Sequence, residues 1–192
     1  MNPRIFACGY KKISTYEDIY WNYPQKGKIS VVNRFFNNDY QYTETYPLIE
    51  WSITDETDTV MGYSCTKAIA SFRGRIWHVW FTMDIPVGMG PWKLCGLPGL
   101  IMKAEDSEHL FIYEAVGISS GSGHPVIVYD DKKIKCGRAD VLRLNDLRWI
   151  DSDYLAKITY GKEVLSIGYD EYGNVSEKKH ESEIVIPQKE LE

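Results

Sequence analysis

Residues 74–104, GRIWHVWFTMDIPVGMGPWKLCGLPGLIMKA, decide the fold of this chain. From Ile76 to Thr82, aromatic and apolar side chains occur at both sets of alternating positions, which is typical of a central β-strand covered on each face. Glycine and proline are concentrated between residues 86 and 99, and an apolar strand follows directly. Glycine reaches backbone angles closed to other residues and proline fixes its own, so we predict a rigid loop between two strands.

The flanking sequence predicts further strands, because apolar and polar residues alternate along several short segments. The polar, acidic segment 55–62 is interpreted as a connection. The expected strands are a hairpin over residues 27–46 that turns at 37–39, a strand marked by Trp51 and Ile53, a strand over 62–72, a hairpin of 99–105 with 109–118, and a strand over 124–130.

The C-terminal part changes its period. Apolar residues between 138 and 149 recur at roughly helical spacing, and further helical turns are expected over 151–160. Residues 169–192 are charged and poor in apolar side chains, so they are predicted to be a disordered tail. We therefore expect a mainly β protein with a single antiparallel, strongly curved sheet (a partial barrel or half-barrel) and a C-terminal helix, forming one domain over residues 1–168.

Composition argues against two function classes. The 192 residues carry a net charge of −5, so the chain lacks the basic surface that nucleic-acid binding requires. No segment approaches the roughly 20 apolar residues of a transmembrane helix. The sequence after Met1 also lacks the apolar core of a signal peptide, which taken alone predicts a cytoplasmic protein.

The four cysteines are widely spaced and form no CxxC pair. This spacing does not predict a metal site or a thioredoxin-type motif, and we expect no cofactor. One or two disulfides stay open if the protein is exported, with unknown pairing among Cys8, Cys65, Cys95 and Cys136.

Four sequence blocks occur in order within residues 18–118: EWSITDET at 50–57, GYSCTKAIASFRGR at 62–75, WFTMDIPVGMGPWK at 80–93 and GLPGLI at 96–101. Together they resemble the GLPGLI family, which is named for the last block. The resemblance implies an exported Bacteroidetes protein of the periplasm or cell envelope, in a family often encoded near TonB-dependent outer-membrane receptors. It implies no known activity, cofactor or catalytic residue.

This sequence departs from the family's pattern at several points, among them Cys95, which stands where other members often have a different residue. It lacks the export signal and the first strand, so Met1 is interpreted as an internal start or a trimmed N-terminus. Ala115 stands where a cysteine is frequent in the family, so no family disulfide is carried over.

The Gly/Pro loop has a structural and a functional interpretation. Trp92 and Leu97 could close the open end of the sheet, because apolar and aromatic stretches usually belong to the core. Alternatively the loop forms the rim of a binding groove, because functional residues concentrate on loops held by a scaffold. The candidate rim and groove residues are Trp51, Trp77, His78, Trp80, Pro91, Trp92, Cys95, Gly96, Leu97, Pro98 and Gly99.

Three functions follow from these observations. The first is a non-enzymatic cell-envelope binding module for a peptide, a lipid or a protein, with a TonB-dependent receptor as a candidate partner. The second is a thiol- or metal-dependent hydrolase, which requires Cys95 and His78 to lie within reach of each other in an open cleft. The third is a structural or assembly partner of an outer-membrane receptor, which predicts a flat, exposed apolar patch. The arginines of the segment FRGR, residues 72–75, are expected to point outward from a β-turn.

Overall fold

The structure is a computed structural model that describes residues 4–7, 17–35, 38–119, 128, 132–150, 167–169 and 175–177. The described residues are mainly β with one helix, which confirms the predicted class. In chain order the strands are β1 (Arg4–Ala7), β2 (Glu17–Trp21), β3 (Lys28–Phe35), β4 (Asn38–Thr45), β5 (Ser52–Val60), β6 (Tyr63–Phe72), β7 (Arg75–Thr82), β8 (Leu100–Asp106), β9 (Ile112–Ser119), β10 (Ile134–Lys135), β11 (Ile167–Tyr169) and β12 (Val175–Glu177), with helix α1 (Arg138–Ile150) between β10 and β11.

The chain divides into two compact units, the first built around residues 46–129 and the second around residues 15–45 and 130–186. A single domain over residues 1–168 stays a prediction. The strand predicted over 124–130, apart from Val128, and the helical turns predicted over 151–160 lie outside the described residues. Of the tail predicted to be disordered, only Tyr169 and Val175–Glu177 are described.

The first unit contains a six-stranded antiparallel sheet with the order β1-β9-β8-β7-β6-β5. Strand β7 lies between β6 and β8, as its two apolar faces predicted. Trp77, Val79 and Phe81 are buried on one face, here called the inner face. Ile76, His78 and Trp80 alternate with them on the opposite, outer face, where Ile76 is 49% exposed. The outer face is covered in part, since Trp80 packs against a second buried cluster that includes Cys65 and Met102. Coverage is therefore complete on the inner face and partial on the outer one.

The second unit contains a four-stranded sheet with the order β10-β4-β3-β2. The single, strongly curved sheet expected from the sequence is therefore wrong for the described strands, which form separate sheets that do not close into a partial barrel and also include the antiparallel pair β11-β12. The purely antiparallel arrangement is wrong as well, since β10 pairs with β4 in parallel. Alternation within each strand predicts which residues share a face, but not which strands join the same sheet.

The hairpin over residues 27–46 is confirmed as β3 and β4. Phe35 pairs with Asn38, so Asn38 and Asp39 belong to the strand rather than to the predicted turn. The Asp39 carboxylate accepts hydrogen bonds from Arg34 across the hairpin, at 2.7 Å from Nε and 3.0 Å from Nη2. This ion pair links the two strands near the end of the hairpin. The sequence predicted a turn at these positions because Asn and Asp are common in turns.

Helix α1 confirms the helical period over residues 138–149. Gly137 precedes the helix and donates its backbone N–H to the Asp140 carboxylate at 2.8 Å, the return half of a capping box. Val141 is the buried apolar residue of the first turns. Within the described part of the chain, neither α1 nor any other helix has the length and apolar character needed to span a bilayer.

The prediction that residues 55–62 form a connection is wrong for residues 55–60. Residues 55–60 continue strand β5, and the chain reverses at Met61 and Gly62, whose φ values are +51° and +83°. Positive φ at both central residues is the requirement of a two-residue turn matched to the twist of a hairpin. Strand β5 lies at the end of the described sheet and is almost fully exposed, so it lacks the apolar face that identifies most strands in a sequence.

The prediction that both arginines of FRGR point outward from a turn is wrong for Arg75. Arg73 and Gly74 form the turn between β6 and β7, with φ values of +54° and +74°. Arg75, however, points inward and is buried. Its Nη1 lies 2.9 Å from Asp106 and 3.1 Å from Glu108, and the Asp106 carboxylate is itself buried. A partner 31 residues away therefore determines the orientation of Arg75.

Candidate functional site

The Gly/Pro loop joins β7 to β8 and is hydrogen-bonded to itself. Gly96 donates its N–H to the carbonyl oxygen of Gly88 at 3.0 Å, and Leu100 donates to Ile85 at 3.0 Å. These bonds pair the two arms of the loop, so their backbone groups do not point toward a ligand. The loop is a folded corner with its own internal hydrogen bonds.

Two glycines of the loop are required by close approach of other parts of the first unit. A Cβ atom at Gly99 would overlap the carbonyl oxygen of Thr82 and lie 2.6 Å from the carbonyl carbon of the same residue. A Cβ atom at Gly90 would lie 2.7 Å from the Cβ of Ile101. Both obstacles belong to the strands that the loop connects, so these glycines serve internal packing.

The apolar residues of the loop cover the inner face of the sheet. Leu94 is fully buried and Leu97 nearly so, in one cluster with Trp77. The Trp92 ring lies between two aromatic rings, with centroid distances of 5.6 Å to Phe72 and 5.7 Å to Trp77. Each buried side chain of this size contributes roughly 1.5–3 kcal/mol. This arrangement matches the structural interpretation of the loop.

Cys95 is held inside the same loop. Its carbonyl oxygen accepts a hydrogen bond from the indole Nε1 of Trp51 at 2.9 Å, and its Sγ lies 3.7 Å from the carbonyl oxygen of Pro47. The side chain is buried, and this burial raises the pKa of the Cys95 thiol to about 11. The thiol is therefore neutral at physiological pH, whereas nucleophilic and metal-binding cysteines act as thiolates.

The structure does not bring Cys95 and His78 together. His78 lies on the outer face of β7, whereas Cys95 sits in the loop whose Leu94 and Leu97 pack on the inner face. Over the described residues, no group of three or more His, Cys, Asp and Glu side chains is placed to hold a metal ion. Cys65, Cys95 and Cys136 are free thiols.

The outer face carries a different group of side chains, centred on Trp80. Lys67 of β6 and Lys103 of β8 are the direct cross-strand neighbours of Trp80. Their Nζ atoms lie 5.7 Å and 4.5 Å from the centre of its ring, within the range of a cation–π interaction. Lys67 also forms an ion pair with Glu56 at 2.8 Å. Of the described carboxylates, none lies within ion-pair distance of Lys103.

The next row of this face, one step toward the start of β7, combines apolar and polar groups. His78 faces Ile69 on β6 and Glu105 on β8, and Ile112 follows on β9. The His78 imidazole makes no hydrogen bond or ion pair among the described residues. Ile112 is 40% exposed, so this row, like Ile76 beyond it, presents apolar surface to solvent.

The predicted site residues are therefore divided between two faces. His78 and Trp80 lie on the outer face, and Trp77 is fully buried on the inner one. The others belong to the loop or pack against it: Trp51, Pro91, Trp92, Cys95, Gly96, Leu97, Pro98 and Gly99.

Sequence reasoning missed Lys67 and Lys103 as neighbours of Trp80. A signal was present for Lys67, because a two-residue turn at residues 73–74 fixes the register of the hairpin and places residue 67 opposite residue 80. Lys103 had no such signal. A register shift in the pairing of β7 with β8, next to Trp80, displaces the pairing that simple alternation would give.

Comparison with known proteins finds a match to a family of unknown function. A family model described as "Protein of unknown function (Porph_ging)" matches residues 74–103, the segment that contains β7, the loop and the start of β8. No curated protein matches the chain. Two solved structures, of PNGF-II in the C2 and P21 space groups, are 21% and 22% identical with TM-scores of 0.49. Each alignment covers 72% of this chain and 26% of the other, so the chain spans about a quarter of the length of these structures.

Proposed function

We propose that the protein is a non-enzymatic binding module of the cell envelope, and that its ligand contacts the outer face around Trp80. The observation that carries this proposal is the row Lys67–Trp80–Lys103, in which a half-buried indole lies between two cations on neighbouring strands. The adjoining row adds His78, whose imidazole has no partner among the described residues. Aromatic and polar groups of this kind on a rigid sheet are typical of recognition surfaces.

The loop has a supporting role in this proposal. Its glycines fit against the ends of β7 and β8, and its leucines fill the inner face, so it fixes the strands that present Trp80. The sequence predicted a binding surface that includes the loop. We propose instead that the ligand binds the outer face of β6, β7 and β8, opposite the face that the loop covers.

The geometry favours binding over hydrolysis. A thiol-dependent hydrolase needs a thiolate and a base within hydrogen-bond reach. Cys95 is buried with a raised pKa, and His78 lies on the other side of the sheet. Neither residue is therefore arranged for nucleophilic catalysis.

Location and partner rest on the resemblance to the GLPGLI family, and membership of that family is itself part of the proposal. Export to the periplasm or the cell envelope, a Bacteroidetes origin and an association with a TonB-dependent receptor are the consequences that this resemblance implies. A peptide, a lipid or a protein is the expected class of ligand.

Purification of the tagged protein from its native host under non-denaturing conditions, followed by native mass spectrometry, tests this function. We expect one component to be retained in a stoichiometric ratio. The Trp80→Leu variant should lose it, and the Cys95→Ala variant should keep it, because only Trp80 belongs to the outer face. An empty protein, or retention that depends on Cys95 and not on Trp80, would contradict the proposal.

A further inference from the structure

The two lysines that flank Trp80 on the outer face differ in their ion pairing. Lys67 is neutralised by Glu56 at 2.8 Å, whereas Lys103 contacts the Trp80 ring and has no described carboxylate within ion-pair distance. The Lys103 side chain is half-buried, so part of its hydration is already lost. An ammonium group placed in this way is a binding point for one negatively charged group.

Apolar side chains alternate with the polar His78 in the rows that follow Trp80 along β7. Ile69 is the cross-strand neighbour of His78, and Ile76 is 49% exposed one row further on. Ile112 borders the same area from β9 and is 40% exposed. Trp80 and Ile76 are four residue steps apart along an extended strand, which corresponds to about 13 Å. The face therefore offers a charged end and an apolar body.

From this juxtaposition we propose that the outer face binds an amphipathic monocarboxylate, with its carboxylate at Lys103 beside Trp80 and its apolar chain over Ile69 and Ile76. The inference rests on the proposed binding function and names the chemistry of the ligand. The carboxylate accepts a hydrogen bond from the Lys103 ammonium, and burial of the chain against the isoleucines supplies the hydrophobic contribution.

The neighbouring acidic groups limit the charge of the ligand. Glu114 is the cross-strand neighbour of Lys103, and Glu105 occupies the next row opposite His78. Glu105 also lies 3.7 Å from His109, and Glu56 is engaged by Lys67. A ligand with several negative charges would meet these carboxylates, so the face suits a single negative charge.

The test uses octanoate as the probe and the full chain as the protein. The indole N–H resonance of Trp80, assigned with a Trp80→Phe variant, is followed by NMR during titration with octanoate. Acetate supplies the charge without the chain, octylamine supplies the chain with the opposite charge, and octyl phosphate supplies a different anion. We expect octanoate to shift the Trp80 resonance saturably, octylamine not to do so, and acetate to bind at least about tenfold more weakly.

Variants separate the two parts of the site. Lys103→Met should weaken octanoate binding by at least about tenfold, because it removes a charge-assisted hydrogen bond and keeps the length of the side chain. Ile76→Asn should weaken octanoate binding but not acetate binding. Lys26→Met, at an exposed lysine of the second unit, is the matched control and should have no effect. Circular dichroism confirms that each variant is folded.

Equal binding of octanoate and octylamine, or unchanged octanoate affinity in Lys103→Met, would overturn the carboxylate assignment. Tighter binding of octyl phosphate than of octanoate would replace carboxylate by phosphate and overturn it too. If octanoate fails while natively purified protein retains a component that Trp80→Leu loses, the ligand class is wrong and the binding function stands. If both fail, the binding function itself is wrong.

Discussion

Substitution of Gly99 by alanine tests the structural role of the loop most sharply. Gly99 immediately precedes β8, and a Cβ atom there would overlap the carbonyl oxygen of Thr82. Its φ lies outside the left-handed region, so alanine is compatible with the local backbone. The expected destabilisation therefore comes from the clash, since the smaller freedom of the unfolded chain acts in the opposite direction.

The magnitude follows from the nature of the obstacle. An extra methyl group in a packed region typically costs about 1–3 kcal/mol when flexible side chains can move aside. Here the obstacle is the backbone of β7, and relief would separate the loop from the strand and disturb the hydrogen bond from Leu100 to Ile85. We therefore expect a loss of about 3–5 kcal/mol in the free energy of unfolding.

Gly62→Ala is the matched control. Gly62 has a φ of +83°, and a methyl group added there would meet no atom within 4 Å, so alanine adds only left-handed strain of about 1–2 kcal/mol. Both variants are measured by urea unfolding at room temperature, followed by circular dichroism and tryptophan fluorescence. If Gly99→Ala is no more destabilising than Gly62→Ala, the loop is not packed as described.

Three further predictions concern charged and thiol groups. Asp106→Asn removes the buried carboxylate partner of the Arg75 guanidinium and leaves the more exposed Glu108 in place, so we expect a loss of about 1.5–3 kcal/mol in urea unfolding; a loss below about 0.5 kcal/mol would contradict the inward pair. Because the pKa of the Cys95 thiol is raised to about 11, iodoacetamide at about pH 8 should modify Cys95 in unfolded protein and leave it unmodified in native protein, as mass spectrometry of the peptides would show. The hydrogen bond from Arg34 lowers the pKa of the Asp39 carboxyl below its usual 3.8, so the contribution of the pair is present above that value and is lost as the pH falls through the lower folded-state pKa. Since the pair is largely exposed, Asp39→Asn should cost about 0.5 kcal/mol at about pH 7 and nothing at about pH 2; an equal difference at both pH values would refute the assignment.

Local patterns predicted those elements whose stabilising contacts are local. The alternation around Trp77 predicted the central strand, and the helical spacing over residues 138–149 predicted α1. The strand marked by Ile53 was predicted, but its continuation over residues 55–60 was missed, because an exposed strand at the end of the described sheet carries Asp and Glu where a buried one would carry apolar residues. The inward direction of Arg75 was missed because its partner Asp106 lies on another strand.

The candidate site was predicted only in part, for a similar reason. The sequence singled out Trp80 and His78, and the structure places both on the outer face of β7. The same prediction placed Trp92 and Cys95 in one site with them, whereas the structure places these two residues in the loop. Alternation separates the two faces of a strand, but it does not say which face the next loop will cover. The face that the loop covers is determined by contacts between residues far apart in the sequence, such as the packing of Leu94 and Leu97 with Trp77.

Amine labelling of natively purified protein, compared with the same protein stripped of its bound component, tests the location of the binding face most directly. Acetylation of each lysine is quantified by mass spectrometry, with Lys26 as an exposed reference outside the site. We predict that the bound component protects Lys103 selectively and leaves Lys26 equally reactive in both samples. Equal labelling of Lys103 in both samples, together with a bound component still present, would place the binding surface elsewhere and contradict the proposed function of the outer face.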